Sequence, residues 1–399
     1  MCAQKRTRVA VLFGGASPEH DVSVLTGLQA LSALDPDCYD AFPVYVDPAG
    51  AWRIGDILRN REAYMLDAPA LERTRRVVPD CGPCLRPVPG PWLGRAAPIP
   101  FDIALLAFHG GAGEAGGATG LFDMLRIPYT GMSTMGCAVA MDKVAAKALF
   151  RSLGIPVLPE AVLPRPADGT YQIAAGTLED MLRPLTFPLC LKPVHMGSSI
   201  GAARVESLVE VQACLPAIFA DDTHAMAEPF VDNLVEYNVA VAAWGVSAIE
   251  RPKTKAELLN FREKYCSGGG KGKVGGPKTG PISQGMLHMT RDINPDMPED
   301  MAQKVRAWAR QVFATCGGRG APRIDFYANG ASGEIWANEV NPYPGSLAYF
   351  LWEAAPERPL LFAELLDALL SEGLVAARNA GLPQDPVPEA ARLLPRCRS

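Results

Sequence analysis

A strand-like run that ends in glycines, TRVAVLFGG at residues 7–15, is followed by Leu25, Leu28, Leu31 and Leu34 at the spacing of a helix face. The strand signal returns in AFPVYV and DIALLAFHG. Strands that alternate with helices favour a parallel α/β layer, so residues 1–138 are expected to form a Rossmann-like first domain. Residues 48–100 are rich in proline and arginine and read as an insertion of loops and short elements.

The remaining elements follow from the same signals. A helix is expected over Cys137–Leu153, ended by Gly154 and Pro156. FPLCLKPV and HAMAEPF read as strands around a helix near Leu208–Phe219, and EYNVAVAAW reads as a long strand. A helix at Pro298–Cys316, the strand pair PRIDFYANGASGEIWANEV and a helix near Leu360–Leu370 complete the pattern. The expected divisions are 1–138, 139–230 and 231–375, with a lid loop at 266–283 and a tail at 376–399.

Thirty-eight basic against 43 acidic residues leave a net charge of −5, without a long basic run, which argues against nucleic acid as a partner. No apolar run approaches the roughly 20 residues of a membrane span, and MCAQKRTRVAVLFGG lacks the apolar core of a signal peptide. A cytoplasmic protein is expected. Its ten cysteines have no repeated spacing, as in a reducing compartment. Cys81-Gly82-Pro83-Cys84 has redox-motif spacing, but its proline-dense flanks cannot open the helix that such a thiolate needs, so a surface loop is expected.

Three stretches carry chemistry. SGGGKGKV has a serine at the first glycine position of a phosphate loop and a valine at the hydroxyl position, so it is not one, and FGGASPE lacks the dinucleotide-binding order. The glycine- and lysine-rich segment is either a plain linker or a lid over phosphates. In KPVHMGSSIG, Lys192 ends a strand, and Gly197, Ser198 and Ser199 form a turn whose N–H and hydroxyl groups suit an anion; a solvated turn is the equal alternative. In PRIDF and NEVN, Asp325, Glu339 and Asn341 are hard oxygen ligands on strands that a hairpin brings together, as Mg²⁺ requires. Arg323 lies two residues before Asp325 and therefore on the same strand face.

At this point the chain resembles the D-alanine–D-alanine ligases of the ATP-grasp superfamily. VLFGGASPEHDVSVLTG, FHGGAGEAGGATGLFDMLRIPYTG, AMDKVAAK, LKPVHMGSSIG, FREKY and RIDFYANGASGEIWANEVNPYPG match that family's blocks in order, from about Arg8 to Leu370. The resemblance implies a three-domain α/β ATP-grasp fold. It also implies an ATP-dependent, ADP-forming ligase of peptidoglycan biosynthesis: ATP phosphorylates a carboxylate, and an amine then displaces the phosphate. A ligase for a non-standard acceptor in a specialised pathway and a catalytically degenerate nucleotide-binding protein are the alternatives. ATP, two Mg²⁺ ions with Mn²⁺ as a substitute, amino acid substrates and a homodimer come with it.

Carried over by the resemblance, Glu19 holds the ammonium of the first substrate, with His109 beside it. Lys143, Lys192 and Lys264 contact phosphates, and Ser198 and Ser199 close on the γ-phosphate. Tyr265 follows Lys264 as in the amide-forming members. Glu228 and Val231 match the adenine stretch and Glu236 the ribose carboxylate. Asp325, Glu339 and Asn341 match the magnesium ligands, and Arg323 with the Gly345 N–H matches the oxyanion hole. His20 and His195 match no required role and are expected on the surface.

The chain departs from the pattern in two places. Ala115 replaces an aspartate, and SLAYFLWE puts Phe350 where the family has a serine that anchors the second substrate's carboxylate. A phenyl ring cannot donate to a carboxylate, and burying one unpaired is costly. The acceptor's carboxylate should therefore be absent or anchored by another group, with Ser346 and Tyr349 as candidates.

Overall fold

The computed structural model describes residues 6–64, 69–88, 97–197, 201–253, 291–381 and 387–393. Ser198, Ser199, Lys264, Tyr265 and the expected lid at 266–283 lie outside the described residues.

The first sheet has seven strands: β1 (Thr7–Gly14), β2 (Tyr39–Val46), β3 (Trp52–Ile54), β4 (Arg75–Pro79), β5 (Cys84–Pro87), β6 (Ile99–Pro100) and β7 (Ile103–Leu106). Their order is β6-β5-β4-β3-β2-β1-β7. Only β2-β1-β7 is parallel. Within 48–100, strands β3 to β6 add antiparallel strands to one edge, so the layer is mixed rather than parallel throughout. The connections β2–β3 and β4–β5 are too short for a crossover helix, and the longer β3–β4 connection carries only short 3-10 turns among its described residues, so these strands pair antiparallel.

β1 reads as an unbroken apolar run because both of its faces are covered. Val9, Val11 and Phe13 meet Val24, Leu28 and Leu31 of the helix His20–Ala33, while Ala10 and Leu12 face Phe122 and Tyr129. Gly27 permits that helix to close on the strand, since a Cβ there would lie 2.3 Å from the Phe13 ring. Cys81 sits in the tight turn joining β4 and β5, and Cys84 begins β5; both thiols are free.

The helix expected over Cys137–Leu153 is two helices, Thr134–Met141 and Lys143–Ser152. Asp142 is extended between them, and its carboxylate accepts from the N–H groups of Val144 and Ala145. An N-cap of this kind begins a new helix and breaks the old one.

The second sheet, β8 (Ala161–Pro164), β9 (Leu189–Pro193), β10 (Ala203–Val205) and β11 (His224–Pro229), is antiparallel in the order β10-β9-β11-β8. The helices Ala175–Leu182 and Leu208–Asp221 cover it through Leu178, Val211, Leu215 and Phe219.

The third sheet contains β12 (Leu234–Ala242), β13 (Gly245–Pro252), β14 (Arg291–Ile293), β15 (Arg323–Asn329) and β16 (Ile335–Asn341), in the order β14-β13-β12-β15-β16. All its pairings are antiparallel. The helix Glu299–Thr315 seals it with Val305, Ala309 and Val312. The last long helix, Phe362–Asn379, extends past the expected end and packs its Leu365, Leu366 and Leu369 in the same core as β1 and the helix His20–Ala33. The first and third sheets are thereby held together.

Candidate active site

The strand register builds the site's floor. Asp325 pairs with Glu339 and Arg323 with Asn341 across β15 and β16, while Asn238 of β12 pairs with Asp325 from the other side. Arg323 donates from Nε and Nη2 to the two Asp325 oxygens at 2.6 Å each, and Asn341 Nδ2 donates to Asp325 Oδ2 at 3.0 Å. Burial pushes the Asp325 carboxyl up to about 6, with Glu339 and Glu236 adding to the rise against the pull of Arg323. The two carboxylates and the Asn341 amide oxygen are hard donors whose chemistry would suit a divalent cation such as Mg²⁺. The residues fit that ion.

The central unit supplies cations. Lys143 Nζ lies 4.0 Å from a Glu339 oxygen and donates to the carbonyls of Met196 and Val194 at the end of β9. Lys192 Nζ is 2.5 Å from Glu228 Oε2 and donates to Asn338 Oδ1 at 3.1 Å. Lys147, a full helical turn beyond Lys143, also pairs with Glu228 and lies 3.4 Å from Glu160. Burial lowers the Lys143 and Lys147 ammonium groups. Burial would lower Lys192 too, but Glu228 together with Cys190 and Glu339 outweighs it, and Lys192 ends up raised. Glu228 is thus the shared anion of two buried lysines, close to Tyr327, whose ring lies 5.6 Å from Lys192 Nζ. Val231 follows β11 and Glu236 lies on β12 opposite Tyr327.

The N-terminal unit closes the site. Glu19 is buried just ahead of the helix His20–Ala33, and a Cβ at Gly197 would lie 2.7 Å from its Oε2. That glycine lets the loop after β9 approach the carboxylate. His109 Nε2 and Thr26 Oγ1 are 2.8 Å apart, and Thr26 accepts from the Ser346 N–H at 3.0 Å. Burial, with Arg323 nearby, drives the His109 pKa down to about 3, so its ring is neutral. Glu114 accepts from the N–H groups of Gly110 at 2.6 Å and Tyr343 at 3.2 Å. Burial and then Glu19 push the Glu114 carboxyl up to about 8. After Gly345, the residues Ser346, Leu347 and Ala348 all have φ near +50°, which costs an L-residue about 1 kcal/mol or more each. Phe350 then packs against Tyr349 and the Arg291 guanidinium.

Of the expected site residues that are described, Glu19, His109, Lys143, Lys192, Glu228, Arg323, Asp325, Glu339, Asn341 and Ser346 are linked by these contacts. Sequence reasoning missed Lys147, Glu114, Thr26 and Asn338. The spacing of Lys143 and Lys147 in AMDKVAAK was a signal for the first; the others offered none. His195 is exposed, as expected, and His20 is half-buried. His195 Nδ1 and its backbone N–H each contact Asp222 at 2.7 Å, and His20 Nε2 contacts the Tyr45 hydroxyl at 2.9 Å.

An N-terminal α/β unit, two antiparallel sheets that meet through Lys192 and Asn338, and a carboxylate cluster beside buried lysines are the arrangement of the ATP-grasp fold. The comparisons sharpen that. The family model "D-ala D-ala ligase N-terminus" matches residues 8–132 and "D-ala D-ala ligase C-terminus" matches residues 149–371. The D-alanine–D-alanine ligase of Sodalis glossinidius is 31% identical over 388 residues, 94% of this chain and 97% of that protein. That of Thermosipho africanus is 28% identical over 380 residues, 93% of this chain and 94% of that protein. The structure of the D-alanine–D-alanine ligase from Coxiella burnetii superposes with a TM-score of 0.72 at 21% identity, covering 94% of this chain and 96% of that one. The chain belongs to the D-alanine–D-alanine ligase family, ATP-dependent, ADP-forming ligases that join two amino acids.

Among the described residues no helix is long and apolar enough to cross a membrane.

Proposed function

We propose that this protein joins D-alanine, as the activated partner, to a second amino acid. The observation that carries the reading is the convergence of Asp325, Glu339 and Asn341 with Lys143 and Lys192 on one side and Glu19 and His109 on the other. Glu19 pairs with the ammonium of the first D-alanine, and neutral His109, held by Thr26, offers a ring N–H or lone pair beside it. Glu228 and Val231 hold the adenine of ATP and Glu236 its ribose. Lys143, Lys192 and Lys264 neutralise the phosphates, and Ser198 and Ser199 close over the terminal one. Mg²⁺ at Asp325, Glu339 and Asn341, two ions or Mn²⁺ in their place, supplies charge neutralisation for phosphoryl transfer.

Once the carboxylate is phosphorylated, the second amine attacks its carbon, and the oxyanion is stabilised by Arg323 and the Gly345 N–H. Collapse of that oxyanion breaks the C–O bond to expel inorganic phosphate, as the new amide nitrogen loses its proton to solvent or phosphate. Tyr265 and the segment 266–283 exclude water, which would hydrolyse the acyl phosphate. A cytoplasmic homodimer fits this role. The test is ADP release by the purified protein with ATP, Mg²⁺ and D-alanine, with product masses. D-alanyl-D-alanine with stoichiometric ADP is expected; no ADP with D-alanine and any amine would overturn the reading.

A further inference from the structure

The far end of the third sheet carries a polar assembly that the reaction as described leaves unused. Glu339, Asp325, Asn238 and Glu250 lie in register across β16, β15, β12 and β13, so their side chains share one face. Glu250 is fully buried two strands, about 10 Å, from Asp325. It accepts from Asn238 Nδ2 at 3.0 Å and from Arg291 Nη1 at 2.7 Å. The Arg291 guanidinium in turn lies over the Phe350 ring, 4.7 Å from its centroid.

Stacking on a ring fixes the plane of a guanidinium and leaves its N–H edges pointing outward. Glu250 takes one terminal N–H, and among the described residues Arg291 has no other hydrogen-bond partner. Phe350 follows Gly345 by five positions, in the first turn of the helix Tyr349–Glu353. An acceptor whose amine attacks near Gly345 carries its carboxylate about one residue's length further on, roughly 3.8 Å between successive α-carbons. The stacked pair is tied to that turn through Phe350, which belongs to the helix that follows it.

We propose that Arg291 anchors the acceptor's carboxylate, with Phe350 as its platform and Glu250 as its clasp, in place of the hydroxyl that Phe350 displaces. This rests on the reading of the site as an amide-forming ligase. A guanidinium presents two N–H groups in a fork that matches a carboxylate, whereas a phenyl ring alone would leave that carboxylate unpaired. The acceptor class is accordingly an amino acid with a free α-carboxylate.

The test compares D-alanine with D-alaninamide as acceptor in the full-length enzyme, reading ADP release and product masses. Wild type should favour D-alanine. Arg291→Gln should raise the acceptor KM for D-alanine by about tenfold or more while the KM for ATP stays put, abolishing the preference over D-alaninamide. Because Arg291→Gln leaves Glu250 unpaired, the double variant Arg291→Gln/Glu250→Gln repeats the measurement without a buried lone charge. A retained preference in both variants refutes the anchor. Equal loss with both acceptors, or a raised KM for ATP, also refutes it and makes Arg291 a structural partner of Glu250. A wild type that releases no ADP at all fails earlier, and the failure then belongs to the underlying reading.

Discussion

Replacing Glu228 with glutamine isolates the charge that holds the nucleotide side of the site together. Glu228 is buried, and its carboxylate is shared by Lys147 and Lys192, both buried as well. Glutamine keeps the shape and removes the anion, leaving two ammonium groups in a low-dielectric interior. Breaking a buried pair from one side costs about 3–5 kcal/mol. Each lysine retains a second partner, Asn338 at 3.1 Å for Lys192 and Glu160 at 3.4 Å for Lys147, so the lower end, about 3 kcal/mol, is expected. At about 1–2 °C per kcal/mol for a chain of 399 residues, the melting temperature should fall by roughly 3–6 °C.

Calorimetry without nucleotide at pH 7 measures this, and a fall below about 2 °C would refute the picture of an excluded, mutually dependent triad. Adding Lys147→Met to Glu228→Gln should recover part of the loss, because the uncompensated cation goes too. The pH dependence has a definite sign. Burial raises the Glu228 pKa, but Lys192 and Lys147 outweigh it and hold the carboxyl below its ordinary value. Its stabilisation is therefore present above the unfolded carboxylate pKa and is lost as pH falls through the folded one. The gap between wild type and Glu228→Gln should close in acid.

Three further outcomes are expected. Glu339→Ala should abolish ADP release with the fold intact by circular dichroism; an active variant would remove the magnesium assignment. His195 is raised by its hydrogen bond to Asp222, and Asp222, despite burial, is held down to about 2 by His195. The pair's stabilisation should be largest between about pH 4 and 6.5, fading above that as pH rises through the raised His195 value and below it as pH falls toward 2. Denaturant midpoints of wild type and His195→Gln should differ more at pH 6 than at pH 9, and a gap independent of pH would count against the linkage. Phe350→Ser removes the ring under Arg291 and puts a hydroxyl donor in its place, so the use of D-alanine relative to carboxylate-free amines should change; unchanged acceptor kinetics would place Phe350 outside the pocket.

What was legible from the sequence was local. Strand runs, leucine spacing and the short hairpin Arg323–Asn341 are governed by neighbours along the chain, and the hairpin's register alone brings Asp325 opposite Glu339 and Arg323 opposite Asn341. The ordered motif blocks then marked Glu19, Lys143 and Lys192 as belonging together. Even there, the break at Asp142 escaped the apolar periodicity, because a cap is a side-chain hydrogen bond and not a hydropathy pattern. Tertiary structure alone decided which charges neutralise one another. Glu228 lies 81 residues from Lys147, and Thr26 lies 320 from Ser346. Arg291 and Phe350 meet only because the edge of the third sheet and the turn after Gly345 fold against each other. Burial makes those pairings matter: away from water, a lysine, a carboxylate or a guanidinium must find its partner wherever the fold places one, and sequence distance does not enter that requirement.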